Sequence, residues 1–109
     1  MNLVDLKKIL GLTGLPFTHS HWIATPENPV PTPPYICYLV TDSPHMMADN
    51  MVYHKINDVN IELYTTKKNL VVEATLEKVL DDHEIPYVSS ETFIDSEKLF
   101  QKIYEVRLS

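Results

Sequence analysis

The sequence is short of glycine, cysteine and arginine, and each shortage removes a class of function. Gly11 and Gly14 are the only glycines. Neither a P-loop nor a dinucleotide-binding fingerprint can be written with two, because both need several glycines to bring backbone amides against phosphate. Cys37 is the single cysteine, so no internal disulfide is available. Its place in the apolar run Tyr35 to Val40 reads as a buried structural thiol, which suits a reducing cytosol. Arg107 is the one arginine and the formal net charge is -6. The clustered basic side chains that hold nucleic-acid phosphate are missing, and no sequence-specific nucleic-acid binding is expected. No stretch approaches the ~20 apolar residues of a membrane span. The segment Met1-Asn2-Leu3-Val4-Asp5 lacks the charged and apolar regions of a secretion signal, so neither membrane insertion nor secretion is expected.

What is present reads as a single α+β domain over residues 1–109, since 109 residues is an ordinary size for one domain. Leu3, Leu6, Ile9 and Leu10 share one face of a short N-terminal helix, with Asn2 as its N-cap and Gly11 as its stop. Phe17 to Ile23 reads as an edge strand. Five prolines then fall within Thr25 to Pro34, at Pro26, Pro29, Pro31, Pro33 and Pro34. They exclude a helix or a central strand there and leave an extended loop or docking arm at about 25–34. Tyr35 to Val40 looks like a central strand ended by Thr41-Asp42-Ser43-Pro44.

Val52 to Ile56 and Val59 to Thr65 read as strands around a turn at Asn57-Asp58, with Val59, Ile61 and Leu63 inward and Asn60, Glu62 and Tyr64 outward. Asn69 is the expected N-cap of the longest helix, Leu70 to about His83, which carries Val72, Leu76, Val79 and Leu80 on one stripe. Glu73, Glu77, Asp81 and Glu84 are expected on its opposite, solvated face. Ile85-Pro86 should end it, because the residue before proline is pushed out of the α region. Tyr87 to Ile94 and Leu99 to Leu108 form a strand pair around Asp95-Ser96-Glu97-Lys98. The expected architecture is an antiparallel or mixed β-sheet with one long helix packed on a face and the short N-terminal helix beside it.

Few residues suggest chemistry. His19 and His21 would project from one side of a strand, but two imidazoles are not a metal site, and no metal or cofactor is expected. No nucleophile with its base, and no fixed carboxylate pair, marks an active site, so the chain is not expected to be an enzyme. The tyrosines and phenylalanines fall almost wholly in strands, where core packing and subunit contact explain them better than base stacking. The segment Asp42 to Tyr53 carries Met46, Met47 and Met51 together with Asp49 and Tyr53. With Pro31 and Pro33 of the arm, these are the candidate interaction residues.

Several pieces in a fixed order carry a family resemblance across about Pro34 to Leu108. They are Pro34-Tyr35-Ile36-Cys37-Tyr38, Ala48-Asp49-Asn50 before Val52-Tyr53, and Glu62-Leu63-Tyr64-Thr65-Thr66-Lys67-Lys68. Ile85-Pro86-Tyr87 follows the helix, and Ser96-Glu97-Lys98-Leu99-Phe100-Gln101 with Tyr104-Glu105 completes the set. In these the chain resembles the tail-terminator or tail-completion proteins of long-tailed bacteriophages. It departs from them in the proline-rich N-terminal third and at Glu84, where the family often has glycine.

The resemblance implies a non-enzymatic virion protein of a phage or prophage, at the head-proximal end of the tail and in the host cytoplasm during assembly. Its partners would be copies of itself in a ring, expected as a hexamer, then the tail tube protein and the head-tail connector or stopper protein. Another connector or stopper subunit, or a small cytosolic adaptor that binds a peptide at a sheet edge, are the competing readings. If the terminator reading holds, deleting the methionine-bearing loop leaves the fold intact and abolishes head-to-tail joining. Infectious particles counted from that deletion test it, and a normal yield would refute the role of the loop.

Overall fold

Alternating polarity, two helical stripes and the turns between them produce five strands and two helices among the described residues. The computed structural model describes residues 3–20, 22, 26, 30–41 and 57–108. Within them the order is α1 (Leu3–Gly11), β1 (Phe17–His19), β2 (Tyr35–Thr41), β3 (Asn57–Thr65), α2 (Leu70–Asp82), β4 (Tyr87–Ile94) and β5 (Leu99–Leu108). The strands make one sheet in the order β1-β2-β3-β5-β4. β1 runs parallel to β2 and every other pairing is antiparallel, so the fold is α+β with a mixed sheet.

The period of two sorts the side chains. Val59, Ile61 and Leu63 of β3 point to one face and are buried, whereas Asn60, Glu62 and Tyr64 point to the other. Pairing carries that sorting across the sheet, with Val40, Val59, Val106 and Tyr87 in one row and Tyr38, Ile61, Tyr104 and Ser89 in the next. Leu6, Ile9 and Leu10 of α1 and Leu76 and Leu80 of α2 join these rows in one apolar core. Each fully buried leucine contributes about 1.5–3 kcal/mol by leaving water. Both helices therefore cover the same face, and among the described residues no helix lies on the other.

Local chemistry fixes the ends of the helices. The side chain of Asn69 accepts a hydrogen bond from the Val72 amide at 3.1 Å, which places the start of α2. At its other end the Glu84 amide donates to the Asp81 carbonyl at 3.0 Å and the Ile85 amide to the Leu80 carbonyl at 2.9 Å. This is a Schellman closure, with Ile85 and Leu80 both in the core. It requires a left-handed residue, and Glu84 supplies it at φ 56°. After α1, the Thr13 hydroxyl donates to the Leu10 carbonyl at 2.7 Å and accepts the Leu15 amide at 3.1 Å.

Several sequence expectations need correction. β1 stops at His19, well short of Ile23, and Ser20 turns the chain at φ 68°. Asn57 and Asp58 are not a turn but the first residues of β3, Asn57 paired with Leu108 of β5 and Asp58 held between Thr41 of β2 and Arg107 of β5. Their neighbours explain this, since the Thr41 hydroxyl donates to the Asp58 carbonyl and Arg107 grips the Asp58 carboxylate at 2.8 Å. α2 is ended by the left-handed turn at Glu84 rather than by Pro86. The expected pair of helices is present, the N-terminal one of 9 residues and the other of 13, so the second is only modestly the longer. The expected cap at Asn2, the expected strand Val52 to Ile56 and His21 lie outside the described residues.

Glu84→Gly should stabilise the protein, because a non-glycine residue in the left-handed region costs about 1 kcal/mol. Thermal unfolding should show a rise of about 4 °C or more. Glu84→Ala, which keeps the strain, should show no such gain.

Candidate interaction surface

The densest charge in the molecule lies between α2 and the sheet. Lys102 projects from β5 toward the helices, in register with Leu63 and Glu91. An ammonium group there needs a carboxylate close by. Glu73 of α2 meets it at 3.0 Å and Glu77 at 3.4 Å. Lys68, just before the helix, bonds Glu73 at 2.9 Å and Glu91 of β4 at 2.5 Å. Glu77 also accepts the Tyr104 hydroxyl at 2.7 Å. The chain of contacts thus runs from β4 through the helix start to the middle of β5.

Glu73 was expected on the solvated face of α2, yet it is only 5% exposed. Its place on the sheet side follows from the need of Lys102 for a partner. Glu77 likewise turns to the sheet, while Asp81 and Glu84 are exposed as expected. A signal for this was present. Phe100, Lys102, Tyr104, Val106 and Leu108 form one alternating face, and a lysine in that apolar row calls for an acid above it. Burial by itself raises the Glu73 pKa, but hydrogen bonds from Lys68 and Lys102 outweigh it and leave the carboxyl below its ordinary value. Burial disfavours the charged form of Lys102, and Glu73 with Glu77 more than compensates, so its pKa is raised.

The helix-free face is different. Its rows are Tyr35, Tyr64, Gln101 and Thr92, then Cys37, Glu62, Ile103 and Ser90, then Leu39, Asn60, Glu105 and Val88. In the first row the Tyr35 and Tyr64 rings lie 5.3 Å apart, and Trp22 meets Tyr35 edge-on at 5.8 Å. Tyr64 donates its hydroxyl to Glu62 and accepts from Gln101, both at 2.9 Å. Cys37 is buried as expected, and burial, with Glu62 nearby, pushes its thiol pKa up to about 11. The rings enclose a cavity of about 260 Å³. At the other end of this face a groove of about 450 Å³ runs beside Val88, Pro86 and Asn60.

β4 closes one side of the sheet, and no described strand pairs with its outer edge. Its residues from Val88 to Phe93 are all exposed. Of the residues singled out from the sequence, Pro31 and Pro33 are half-buried on the approach to β2, and the peptide bond between Pro33 and Pro34 is cis. Met46, Met47, Asp49, Met51 and Tyr53 lie outside the described residues. The imidazole of His19 packs edge-on against Tyr38 at 5.4 Å. Among the described residues no three His, Cys, Asp or Glu side chains gather as metal ligands, and no helix is long and apolar enough to cross a membrane. The free edge of β4 and the aromatic cavity carried no motif in the sequence, because strand order and the packing of Trp22 had to be known first.

Comparison with protein-family models, with curated proteins and with solved structures gave no match.

The lowered pKa of Glu73 sets a pH dependence. Its contribution to stability is complete above the unfolded carboxyl value of about 4.3 and is lost as the pH falls through the lower native value. Glu73→Gln should cost about 1–3 kcal/mol at neutral pH. Its melting temperature should fall less steeply than that of the wild type in acid, so that the two curves converge.

Proposed function

We propose that the chain is a structural, non-enzymatic subunit that joins copies of itself into a ring, expected as a hexamer, at the head-proximal end of a phage tail tube. There it stops tube growth and offers a surface to the head-tail connector or stopper protein. The resemblance of residues 34–108 to tail-terminator proteins supplies the biological setting. The outer edge of β4, with which no described strand pairs, is the observation that carries the assembly.

Soluble proteins blunt such edges with lysine, proline or a bulge, because an open row of amides and carbonyls recruits another strand. β4 reads Tyr-Val-Ser-Ser-Glu-Thr-Phe-Ile, with no lysine and no proline. Its one charge, Glu91, is paired within the chain by Lys68. Val88 is 68% exposed, and Phe93, packed edge-on against Phe100, is 45% exposed. A strand of this kind is receptive, and a contact between two different surfaces of the same subunit makes a ring when its rotation closes. Three of the resembling segments surround this part of the body. Glu62 to Lys68 leads from β3 into the cap of α2, Ile85-Pro86-Tyr87 leads into β4, and Ser96 to Gln101 turns β4 into β5. Acidic side chains turned to the lumen of such a ring would repel passing DNA.

The wild-type chain should form rings alone or when mixed with tail tubes, seen by sedimentation and by electron microscopy of negatively stained particles. Val88→Lys with Thr92→Lys places two charges on the edge at exposed positions. It should abolish the rings and leave tails of uncontrolled length without heads, while shifting the melting temperature by no more than about 4 °C, the equivalent of about 1 kcal/mol. A wild-type chain that stays monomeric beside tail tubes, or a double variant that still joins heads to tails, would overturn the proposal. A monomer that instead captures an extended peptide along β4 would identify the adaptor reading.

A further inference from the structure

We propose that the aromatic cavity on the helix-free face is a receptor for the guanidinium group of an arginine carried by a partner protein. This rests on the cavity and not on the ring reading of β4. Tyr35 and Tyr64 form a cross-strand pair whose rings are tilted by 36° at 5.3 Å, and Trp22 closes a second side at 76° to Tyr35. A cation held within about 6 Å of such ring centres is drawn to their negative faces. The Tyr64 hydroxyl donates to the Glu62 carboxylate, which adds electron density to that ring. Glu97, from the turn between β4 and β5, lines the cavity and supplies a full negative charge. Among the described residues no lysine or arginine lines it or pairs with Glu62 or Glu97.

The remaining walls select among cations. Beside the polar Ser20, Val30 and the neutral thiol of Cys37 offer no acceptor for an ion, and a compact, strongly hydrated ammonium loses more water against them than it regains. A guanidinium is planar, weakly hydrated and able to stack on a ring while its edge forks onto a carboxylate. About 260 Å³ has room for that group together with the aliphatic stem that carries it. The arginine is not one of this chain's own. Arg107 is the sole arginine, and it is held by Asp58 at 2.8 and 3.4 Å. Asp58 lies six residues from Tyr64 along β3, or about 20 Å at the rise of a strand. A second copy would have to break that pair to offer its own Arg107. A different protein, basic where this one carries a net charge of -6, is the complementary partner.

Trp22 is the only tryptophan, so its fluorescence reports on the cavity directly. Titration with N-acetyl-arginine amide at constant ionic strength should change the emission saturably. The neutral isostere N-acetyl-citrulline amide should leave it unchanged, and N-acetyl-lysine amide and choline should bind more weakly. Glu97→Gln should weaken arginine amide about 2- to 5-fold and Tyr35→Leu about 2- to 30-fold. Glu97 is exposed, so its variant keeps the test valid should Tyr35→Leu fail to fold. No saturation up to the solubility of the ligand, an equal response to the citrulline compound, or unchanged binding in Glu97→Gln would overturn the proposal. So would tighter binding of choline or the lysine compound. Self-association that arginine amide competes away would place a second copy in the cavity and overturn the assignment to a different protein.

Discussion

A positive charge on the covered face of a sheet must be given a negative one, and Lys102 imposes that requirement on everything packed above it. The β5 register leaves Lys102 no freedom to turn toward water, since Tyr104 and Val106 on the same face are buried in the core. α2 can lie on the sheet only with Glu73 and Glu77 over that position. Such an arrangement adds little net stability, because both charges lose water when they meet. A slide of the helix by one turn would leave only one of Glu73 and Glu77 over Lys102 or bring Asp81 beside Glu77 instead, and it would carry Leu76 and Leu80 away from their places in the core. Leu76 and Leu80 thus provide the attraction and fix the placement, and Glu73 and Glu77 satisfy the charge beneath it.

The same network shapes the outer strand. Lys68 is shared between Glu73 and Glu91, so the charge that would keep another strand away from β4 is satisfied within the chain. An internal pairing that positions a helix therefore also leaves an edge receptive. The face without helices follows a separate logic. There the alternation of β2 and β3 sets aromatic, acidic and amide side chains side by side, and the hydrogen bonds from Tyr64 to Glu62 and from Gln101 to Tyr64 hold their orientation. Rigid rings are what a recognition surface needs, because little conformational entropy remains to be lost on binding.

How much of this was legible in the sequence depended on whether the deciding interaction was local. The cap at Asn69, the stripe of α2, the inward set Val59, Ile61 and Leu63 and the turn at 95–98 all arise within a few residues of each other, and the sequence displays them. The failures were of another kind. Glu73 looked solvated because its partners, Lys68 apart, lie on a strand 29 positions later. Asn57 and Asp58 have the composition of a turn and become strand because Thr41 and Arg107 flank them in space. Glu84 shows that a left-handed residue need not be glycine when Leu80 and Ile85 bury enough on either side of it. Of the candidate interaction residues, Pro31 and Pro33 could be placed, and the structure offered β4 and the Tyr35–Tyr64 cavity, which no local pattern announces.

The distribution of charge ties these surfaces together. Lys68, Lys78, Lys102 and Arg107 are engaged in ion pairs inside the chain, so a large part of the positive charge serves internal structure. The acidic excess is correspondingly turned outward, on Asp81, Glu84, Glu97 and Glu105 among others. Two copies meeting through such surfaces repel one another unless the contact is made where charge is absent or already paired, and β4, whose single charge Glu91 is paired with Lys68, is such a place. A basic partner meets the opposite condition and is drawn to the acidic surround of the rings. The proposed self-association along β4 and the proposed capture of a basic side chain at the aromatic cavity are thus different answers to one charge imbalance, and they call on different residues.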